Sequence, residues 1–352
     1  MKALIFCGAA GAPAGPFHCL TPRPLMPIAG QPLIVHGLEM IRDAGVTDIA
    51  VVVAGAHAGL VEAAIGSGAG LGARITHLRQ DPGSGLAGQL RSARSFAGDE
   101  DFLLYPGDSL LAGGISAAAS SFRARRPAAC LLVAAAADLA SHGIAGTDAS
   151  GRVTTLAGPP AGTAAARGIY FCTQAVYAAV DGAPPDGLAR PHPAWAVRRL
   201  LRQGHTVTAA VHDGFWSAAA TVSDLLECHR VLLDGLTAGG QDRIDDASIV
   251  RGPVVVEPGA TVRRSRLRGP VLIGAGSVIS DSELGPYTVT GRDCVIRHAE
   301  IAASVLLDRA AVAGIGGIRD SLIGCGADVR GPDGDPGHRL FLGDDARVEV
   351  LA

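Results

Sequence analysis

Short runs of consecutive apolar residues alternate with amphipathic stretches over the first two thirds of the chain. The runs predict buried parallel strands at 3–7, 48–54, 74–78, 102–106, 129–136 and 207–211. Apolar residues at helical spacing predict a helix from Leu33 to Ile41 with a stop at Gly45. Strands that alternate with helices form a mostly parallel sheet covered on both faces, and such sheets bind ligands at the carboxyl ends of their strands.

A second pattern begins near residue 240, where apolar residues recur six positions apart among glycines and small polar residues. Examples are Val256 and Val262, Ile273 and Ile279, and Ile301 and Leu307. A period of six with glycine at the turns is typical of a parallel β-helix, in which each short strand forms one wall of a triangular coil. We therefore predict an α/β domain at 1–236 and a β-helix at 237–352, with a β-sandwich as the alternative. The flat faces of such a coil favour a homo-oligomer.

The composition narrows the class of protein. The 352 residues carry a net charge of −3 with scattered arginines, which argues against a nucleic-acid-binding surface. The longest apolar run, at 128–137, is about half the length of a membrane span. The chain start is too short for a signal peptide, and the seven cysteines contain no C-x-x-C pair. We expect a cytoplasmic protein with reduced thiols and no membrane association.

Two candidate sites lie where predicted strands end. Residues 8–15 form a turn of small residues, whose backbone N–H groups could closely approach a phosphate. The turn is uncharged and matches neither the P-loop nor the dinucleotide fingerprint, so a simple connection is the alternative. Asp108 follows the strand at 102–106, where a carboxylate would meet a Mg²⁺-bound phosphate; a turn or helix cap is its alternative role. His18 and Cys19 could form a reactive pair, with loop packing as the alternative.

Several longer stretches occur in a characteristic order. They are MKALIF at 1–6, PRPLMPIAGQP at 22–32, GLAGQL at 85–90, LYPGDSLL at 104–111, GIYFCTQAVY at 168–177, DGFW at 213–216 and FLGDDARVEV at 341–350. Together they resemble the sugar-1-phosphate nucleotidyltransferases, above all the long form of glucose-1-phosphate thymidylyltransferase with its C-terminal left-handed β-helix. The resemblance spans essentially the whole chain and implies a Rossmann-like nucleotidyltransferase domain before the β-helix.

The resemblance also implies a reaction and the residues that serve it. Enzymes of that family join a nucleoside triphosphate to a sugar 1-phosphate and release pyrophosphate, which requires two polyanions to be aligned and their charge neutralised. Arg23 takes the place of a phosphate-contacting lysine, and Asp108 matches the first metal-binding aspartate, so these two imply the catalytic pair and an incomplete Mg²⁺ site. The other matching positions are Gly8, Gly11, Gln80, Gly85 and Leu86 around the nucleotide, and Gly143 and Tyr170 around the sugar.

Other charged positions of the family are missing from this chain. The arginine that grips the triphosphate is Pro13 here, a second basic position is Gly15, and the second metal-binding aspartate is Ala218. Loss of one preorganised charge at a phosphoryl-transfer centre lowers the rate by a factor on the order of 10²–10⁵.

We therefore predict a homologue that binds a nucleotide or sugar nucleotide and in which transfer is weak or lost. Such a pseudoenzyme could also pair with an active homologue. Two alternatives remain: an active nucleotidyltransferase that uses Arg23, Asp108 and Mg²⁺, and an emptied pocket that serves a different reaction on a small biosynthetic substrate.

Overall fold

The computed structural model describes residues 1–7, 22–80, 85–133, 144–156, 168–181, 194–331 and 338–349. They form two compact units. The first unit comprises the described residues of 1–7, 22–25 and 33–218, and the second comprises those of 26–32 and 219–349. The domain boundary at 236 stays a prediction; residues 219–236 belong to the second unit.

The first unit is built on a seven-stranded sheet. In chain order its strands are β1 (Lys2–Cys7), β4 (Asp48–Ala54), β5 (Arg74–Gln80), β6 (Phe102–Pro106), β8 (Ala129–Val133), β11 (Ile169–Cys172) and β12 (Val207–Val211). Strands β2 (Pro27–Ile28) and β3 (Gln31–Pro32) belong to the second unit. Two small ladders join β7 (Leu110–Leu111) to β13 (Trp216–Ser217) and β9 (Ile144–Thr147) to β10 (Val153–Leu156). The helices are α1 (Leu33–Asp43), α2 (Ala58–Ile65), α3 (Gly85–Ala97), α4 (Ser116–Arg125), α5 (Ala175–Asp181) and α6 (Ala194–Arg202). Short 3₁₀ helices lie at Arg23–Leu25, Gly55–His57 and Ala69–Leu71.

The sheet confirms the predicted fold class. Its order is β12-β8-β11-β6-β1-β4-β5, and all its pairs are parallel except those of β11, which is antiparallel to both neighbours. All six predicted strands are present, although β5 continues to Gln80 and the residues after Val133 lie outside the described part. Among the described residues, no helix is long and apolar enough to cross a lipid bilayer.

Alternate residues of each strand enter two separate apolar cores. In β1, Ala3, Ile5 and Cys7 face one core, whereas Leu4 faces the other. The first core is completed by α1, α2 and α4, and the second by α3, α5 and α6. Because both faces of the inner strands are buried, those strands show continuous apolar runs, whereas the edge strand β5 (Arg74–Gln80) carries polar and partly exposed residues.

The second unit contains a parallel β-helix. One wall consists of β15 (Val254–Val256), β18 (Val271–Ile273), β21 (Thr288–Thr290), β23 (Val305–Leu306), β25 (Leu322–Ile323) and β27 (Phe341–Leu342). The remaining strands are β14 (Ile249–Arg251), β16 (Thr261–Arg263), β17 (Arg266–Arg268), β19 (Val278–Ser280), β20 (Glu283–Leu284), β22 (Val295–Ala302), β24 (Ala311–Arg319), β26 (Asp328–Arg330) and β28 (Arg347–Glu349). Val254 pairs with Val271 and Val271 with Thr288, so one turn of the coil takes 17 residues, close to three times the six-residue period.

Buried serines build one corner of this coil. The Ser282 N–H donates to the Ser265 hydroxyl at 3.2 Å, and the Ala299 N–H donates to the Ser282 hydroxyl at 3.2 Å. Each hydroxyl in turn donates to the carbonyl two residues before it, at 2.7 Å. The serines therefore satisfy backbone groups where the chain leaves the regular ladder.

A helix and a hairpin lie against the wall that contains β18. The helix is α7 (Val222–Leu233), and the hairpin joins β2 (Pro27–Ile28) to β3 (Gln31–Pro32). The Ala29 N–H at the hairpin tip donates to Nδ1 of buried His229 at 3.1 Å. Leu272 and Val289 lie outside the coil's interior cluster, yet they are only 6% and 3% exposed. The wall is apolar on both sides because this face is also covered.

Helix α7 begins with a capping box. The Asp224 N–H donates to the Thr221 hydroxyl at 3.1 Å, and the Thr221 N–H donates to the Asp224 carboxylate at 2.9 Å. We expect Thr221→Ala to lower the free energy of unfolding by about 1 kcal/mol, because a first-turn N–H loses its acceptor. Denaturant unfolding would measure the change, and Thr221→Ser, which keeps the acceptor, should stay near the original stability. Equal losses in the two variants would contradict the cap.

Candidate functional site

The carboxyl ends of four parallel strands meet at one edge of the sheet. Cys7 of β1 pairs with Val53 of β4, and Phe6 pairs with Pro106 at the end of β6. On the other side, Gln80 is the last residue of β5 and pairs with Ala54. Open α/β sheets bind ligands at such adjacent strand ends, so the predicted site is expected at this edge.

Asp108 lies in a tight turn that follows β6. The Gly107 N–H donates to the Phe6 carbonyl at 2.9 Å, which ties the start of the turn to β1. A Cβ at residue 107 would lie 2.6 Å from Sγ of Cys7, so this close approach requires glycine. The Tyr105 hydroxyl donates to the Ser109 carbonyl at 2.6 Å and ties down the other end of the turn. The backbone on both sides of Asp108 is thus anchored.

Arg23 and Asp108 form an ion pair. Arg23 opens the short 3₁₀ helix Arg23–Leu25, and its Nη2 donates to Oδ2 of Asp108. The two side chains are 26% and 21% exposed, so solvent reaches both members of the pair. The structure brings together the two residues predicted to be catalytic, and their roles stay predictions.

The position of the family's second metal-binding aspartate holds Ala218 in this chain. Trp216 pairs with Leu111 and Ser217 with Leu110, so the antiparallel ladder carries Ala218 toward Ser109 and the neighbouring Asp108. The side chain at this position is a methyl group and offers no ligand to a metal ion.

The residues at this edge fit the Mg²⁺ ion that the resemblance implies only in part. Within the described ranges, no cluster of three or more His, Cys, Asp or Glu side chains is arranged to hold a metal ion. Mg²⁺ is often bound by one or two carboxylates together with substrate phosphates. The single carboxylate of Asp108, already paired with Arg23, fits an ion that arrives with phosphates and does not fit a site built from protein ligands alone.

Three of the predicted nucleotide-side residues belong to the described part of the chain, at the end of β5 and the start of α3. Gln80 is 8% exposed at the end of β5, and Gly85 and Leu86 form the first turn of α3. The N-terminus of a helix carries a partial positive charge and free N–H groups, both of which favour an anion. Several other predicted residues lie outside the described part of the chain; they are Gly8, Gly11, Pro13, Gly15, His18, Cys19 and Gly143.

Tyr170 is buried in the sheet. It lies on β11 between Leu104 and Leu131, and its side chain is 5% exposed within the second apolar core. Burial raises the pKa of its hydroxyl well above the ordinary value, so the group stays neutral. Contact between Tyr170 and a sugar stays a prediction.

Two residues near Asp108 were not anticipated from the sequence. Burial, with a contribution from the charge of Asp108, raises the pKa of the Cys7 thiol far above its usual range, so this thiol is a poor nucleophile. Tyr105 supports the Asp108 turn from the first core. The role of its hydroxyl could not be predicted from the sequence, because a tyrosine inside an apolar run is interpreted as one more core residue.

Comparison with known proteins gave consistent results along the chain. The family model described as "Nucleotidyl transferase" matches residues 2–235. The glucose-1-phosphate thymidylyltransferases of Streptomyces antibioticus and Streptomyces griseus are 37% and 34% identical to this chain, with 99% of each sequence covered. The low-salt glycan biosynthesis nucleotidyltransferase Agl11 of Haloferax volcanii is 28% identical over 99% of this chain and 100% of its own length.

A solved structure shows the same fold. The crystal structure of a putative glucose-1-phosphate thymidylyltransferase from Bacillus anthracis, in complex with a sucrose, matches with a TM-score of 0.59. The match covers 68% of this chain and 98% of that one at 23% sequence identity.

Proposed function

Because the chain belongs to the nucleotidyl transferase family, we propose that it binds a nucleoside triphosphate or sugar nucleotide at this strand edge, with transfer to a sugar 1-phosphate slowed or lost. The observation that carries the proposal is the pairing of Arg23 with Asp108, together with an alanine at position 218, directly after the strand that pairs with β7. Arg23 supplies a cation and Asp108 a carboxylate, and the position of the family's second carboxylate holds a methyl group.

The binding part of the proposal follows from the chemistry of these side chains. The Arg23 guanidinium can exchange one oxyanion for another, because its planar fork suits phosphate as well as carboxylate. Contact with phosphate would release the Asp108 carboxylate. When bound with the phosphates, Mg²⁺ supplies further neutralisation of their charge. Gln80 and the first turn of α3 lie at the same edge and could contact the base and the ribose.

The slowed transfer follows from the charges that are missing. As the sugar phosphate oxygen attacks the α-phosphorus and pyrophosphate departs, negative charge shifts onto the leaving group. Pro13, Gly15 and Ala218 supply neither a cation nor a metal ligand to that charge. The combined loss is expected to lower the rate by a factor of about 10² or more.

Full-rate transfer is the second candidate function. The 37% identity with the thymidylyltransferase of Streptomyces antibioticus over 99% of both chains favours it. Release of pyrophosphate from dTTP with glucose 1-phosphate and Mg²⁺ separates the two candidates. Turnover above ~1 s⁻¹, the low end of ordinary enzyme rates, would reject the proposal that transfer is slowed or lost.

Nucleotide binding is expected to raise the thermal unfolding midpoint. A ligand present at one hundred times its Kd stabilises by about 2.7 kcal/mol, which corresponds to several degrees in a protein of this size. We expect this shift with millimolar dTTP or dTDP-glucose. Arg23→Lys should retain most of the shift and Arg23→Met should lose most of it, since only the former keeps the charge. The binding proposal fails if no nucleotide moves the midpoint at millimolar concentration.

We further propose a cytoplasmic homo-oligomer, with an active homologue as an additional partner. The support is the β-helix, whose flat walls suit association with a second copy. Light scattering of the purified protein, alone and mixed with an active family member, tests both parts of this proposal.

A further inference from the structure

The Tyr105 ring is held tightly by the residues packed around it. It is 1% exposed in the first apolar core, against helix α1. A Cβ at Gly37 of that helix would lie 2.5 Å from Cε1 of the ring, so the glycine leaves the space that the ring occupies. The ring can therefore occupy only a narrow range of positions.

The fixed ring places a hydroxyl under the turn that carries Asp108. That hydroxyl donates to the Ser109 carbonyl at 2.6 Å, and Ser109 is fully buried. At the other end of the turn, the Gly107 N–H donates to the Phe6 carbonyl at 2.9 Å. Asp108 lies between these two anchors, and its partly exposed carboxylate pairs with Arg23.

We propose that Tyr105 is a positioning residue whose hydroxyl fixes the Asp108 carboxylate in the place where it pairs with Arg23 and meets phosphate-bound Mg²⁺. The part that concerns Mg²⁺ rests on the proposed function, whereas the part that concerns Arg23 does not. A buried carbonyl without a hydrogen-bond donor costs free energy, so without the Tyr105 hydroxyl the turn would shift until the Ser109 carbonyl had another donor. Displacements of about 1 Å in such a site can change rates by about 10²-fold.

The chain offers a matched control in Tyr177. This tyrosine is 2% exposed in the second core, and within the described residues its hydroxyl has no hydrogen-bond partner. Tyr105→Phe and Tyr177→Phe each remove one buried hydroxyl and keep the ring. Only the first removes a hydrogen bond to the Asp108 turn.

A double-mutant cycle in stability tests the positioning role without any ligand. Unfolding of Arg23→Met, Asp108→Asn and the double variant measures the coupling between the two side chains. We expect that coupling to fall by about half or more in the Tyr105→Phe background and to stay unchanged in the Tyr177→Phe background. Equal coupling in all three backgrounds would overturn the proposal, even if Tyr105→Phe lowered overall stability.

Calorimetry of dTTP binding, with and without Mg²⁺, tests the part that concerns the metal. We expect Tyr105→Phe to reduce the Mg²⁺-dependent gain in affinity by about tenfold. An unchanged gain would reject this part. If the unaltered chain binds no dTTP under either condition, the proposed function fails, and the double-mutant cycle still decides whether Tyr105 positions Asp108.

Discussion

An Ala218→Asp variant is expected to form sugar nucleotide from dTTP and glucose 1-phosphate about 10²-fold faster than the unaltered chain at saturating Mg²⁺. The ladder between β7 and β13 carries residue 218 toward Ser109, beside Asp108. A carboxylate there would give the ion a second protein ligand at the strand edge, so the ion and its phosphates would be held in a more defined position. Initial rates of pyrophosphate release measure the gain.

The control for this prediction is Ala218→Asn, which has nearly the same size and lacks the charge. It should leave the rate close to that of the unaltered chain. Arginine introduced at positions 13 and 15 together with Ala218→Asp should raise the rate further, although gains at one reaction centre are not additive. No gain from Ala218→Asp, or an equal gain from Ala218→Asn, would contradict the assignment of this position.

The second large effect is expected from Asp108→Asn, which should change transfer and binding in opposite directions. Any Mg²⁺-dependent transfer should fall by about 10²–10⁵-fold, because the described carboxylate at this edge is removed. Metal-free affinity for dTTP should rise several-fold. The substitution removes a negative charge that repels phosphate and frees the Arg23 guanidinium from its partner.

The chain contains a matched ion pair for this experiment. Arg126 donates to Asp101 at 2.8 Å and 3.0 Å, and Asp101 lies just before the amino end of β6, away from the candidate site. Asp101→Asn should change neither transfer nor dTTP affinity. Reduced metal-free dTTP binding by Asp108→Asn would show that Arg23 does not serve as the phosphate ligand.

The inner strands of the sheet could be predicted from the sequence because they are buried on both faces. Continuous apolar runs mark such strands, and the run at 48–54 matches the observed bounds of β4. The direction of β11 could not be predicted in this way. Ile169–Cys172 is an apolar run like the others, and periodicity carries no information about whether a strand runs with or against its neighbours.

The candidate site was predicted as separate residues, and their contacts were not. Resemblance to a family assigned a role to Arg23 and to Asp108, but nothing in the pattern indicated that they pair with each other across 85 positions of sequence. Tyr105 was missed for a related reason. Its contribution is a hydrogen bond within a turn, and this depends on backbone geometry that composition and spacing do not encode.

One signal of the covered β-helix wall was present in the sequence. In β17 an inward Leu267 is flanked by two exposed arginines, as expected for a wall that faces solvent. In β18 all three residues, Val271 to Ile273, are apolar and buried. The contrast between these strands indicates that something packs on the second wall, but it does not identify α7 as the element that does so.

Because its strands pair regularly from turn to turn, the β-helix can gain or lose whole turns during evolution. Within the coil, each turn pairs only with the turns above and below it, and Val254, Val271 and Thr288 occupy equivalent places in successive turns. Deletion or duplication of one complete turn would therefore leave the remaining stacks intact. We therefore expect relatives to differ in the length of the β-helix by whole turns.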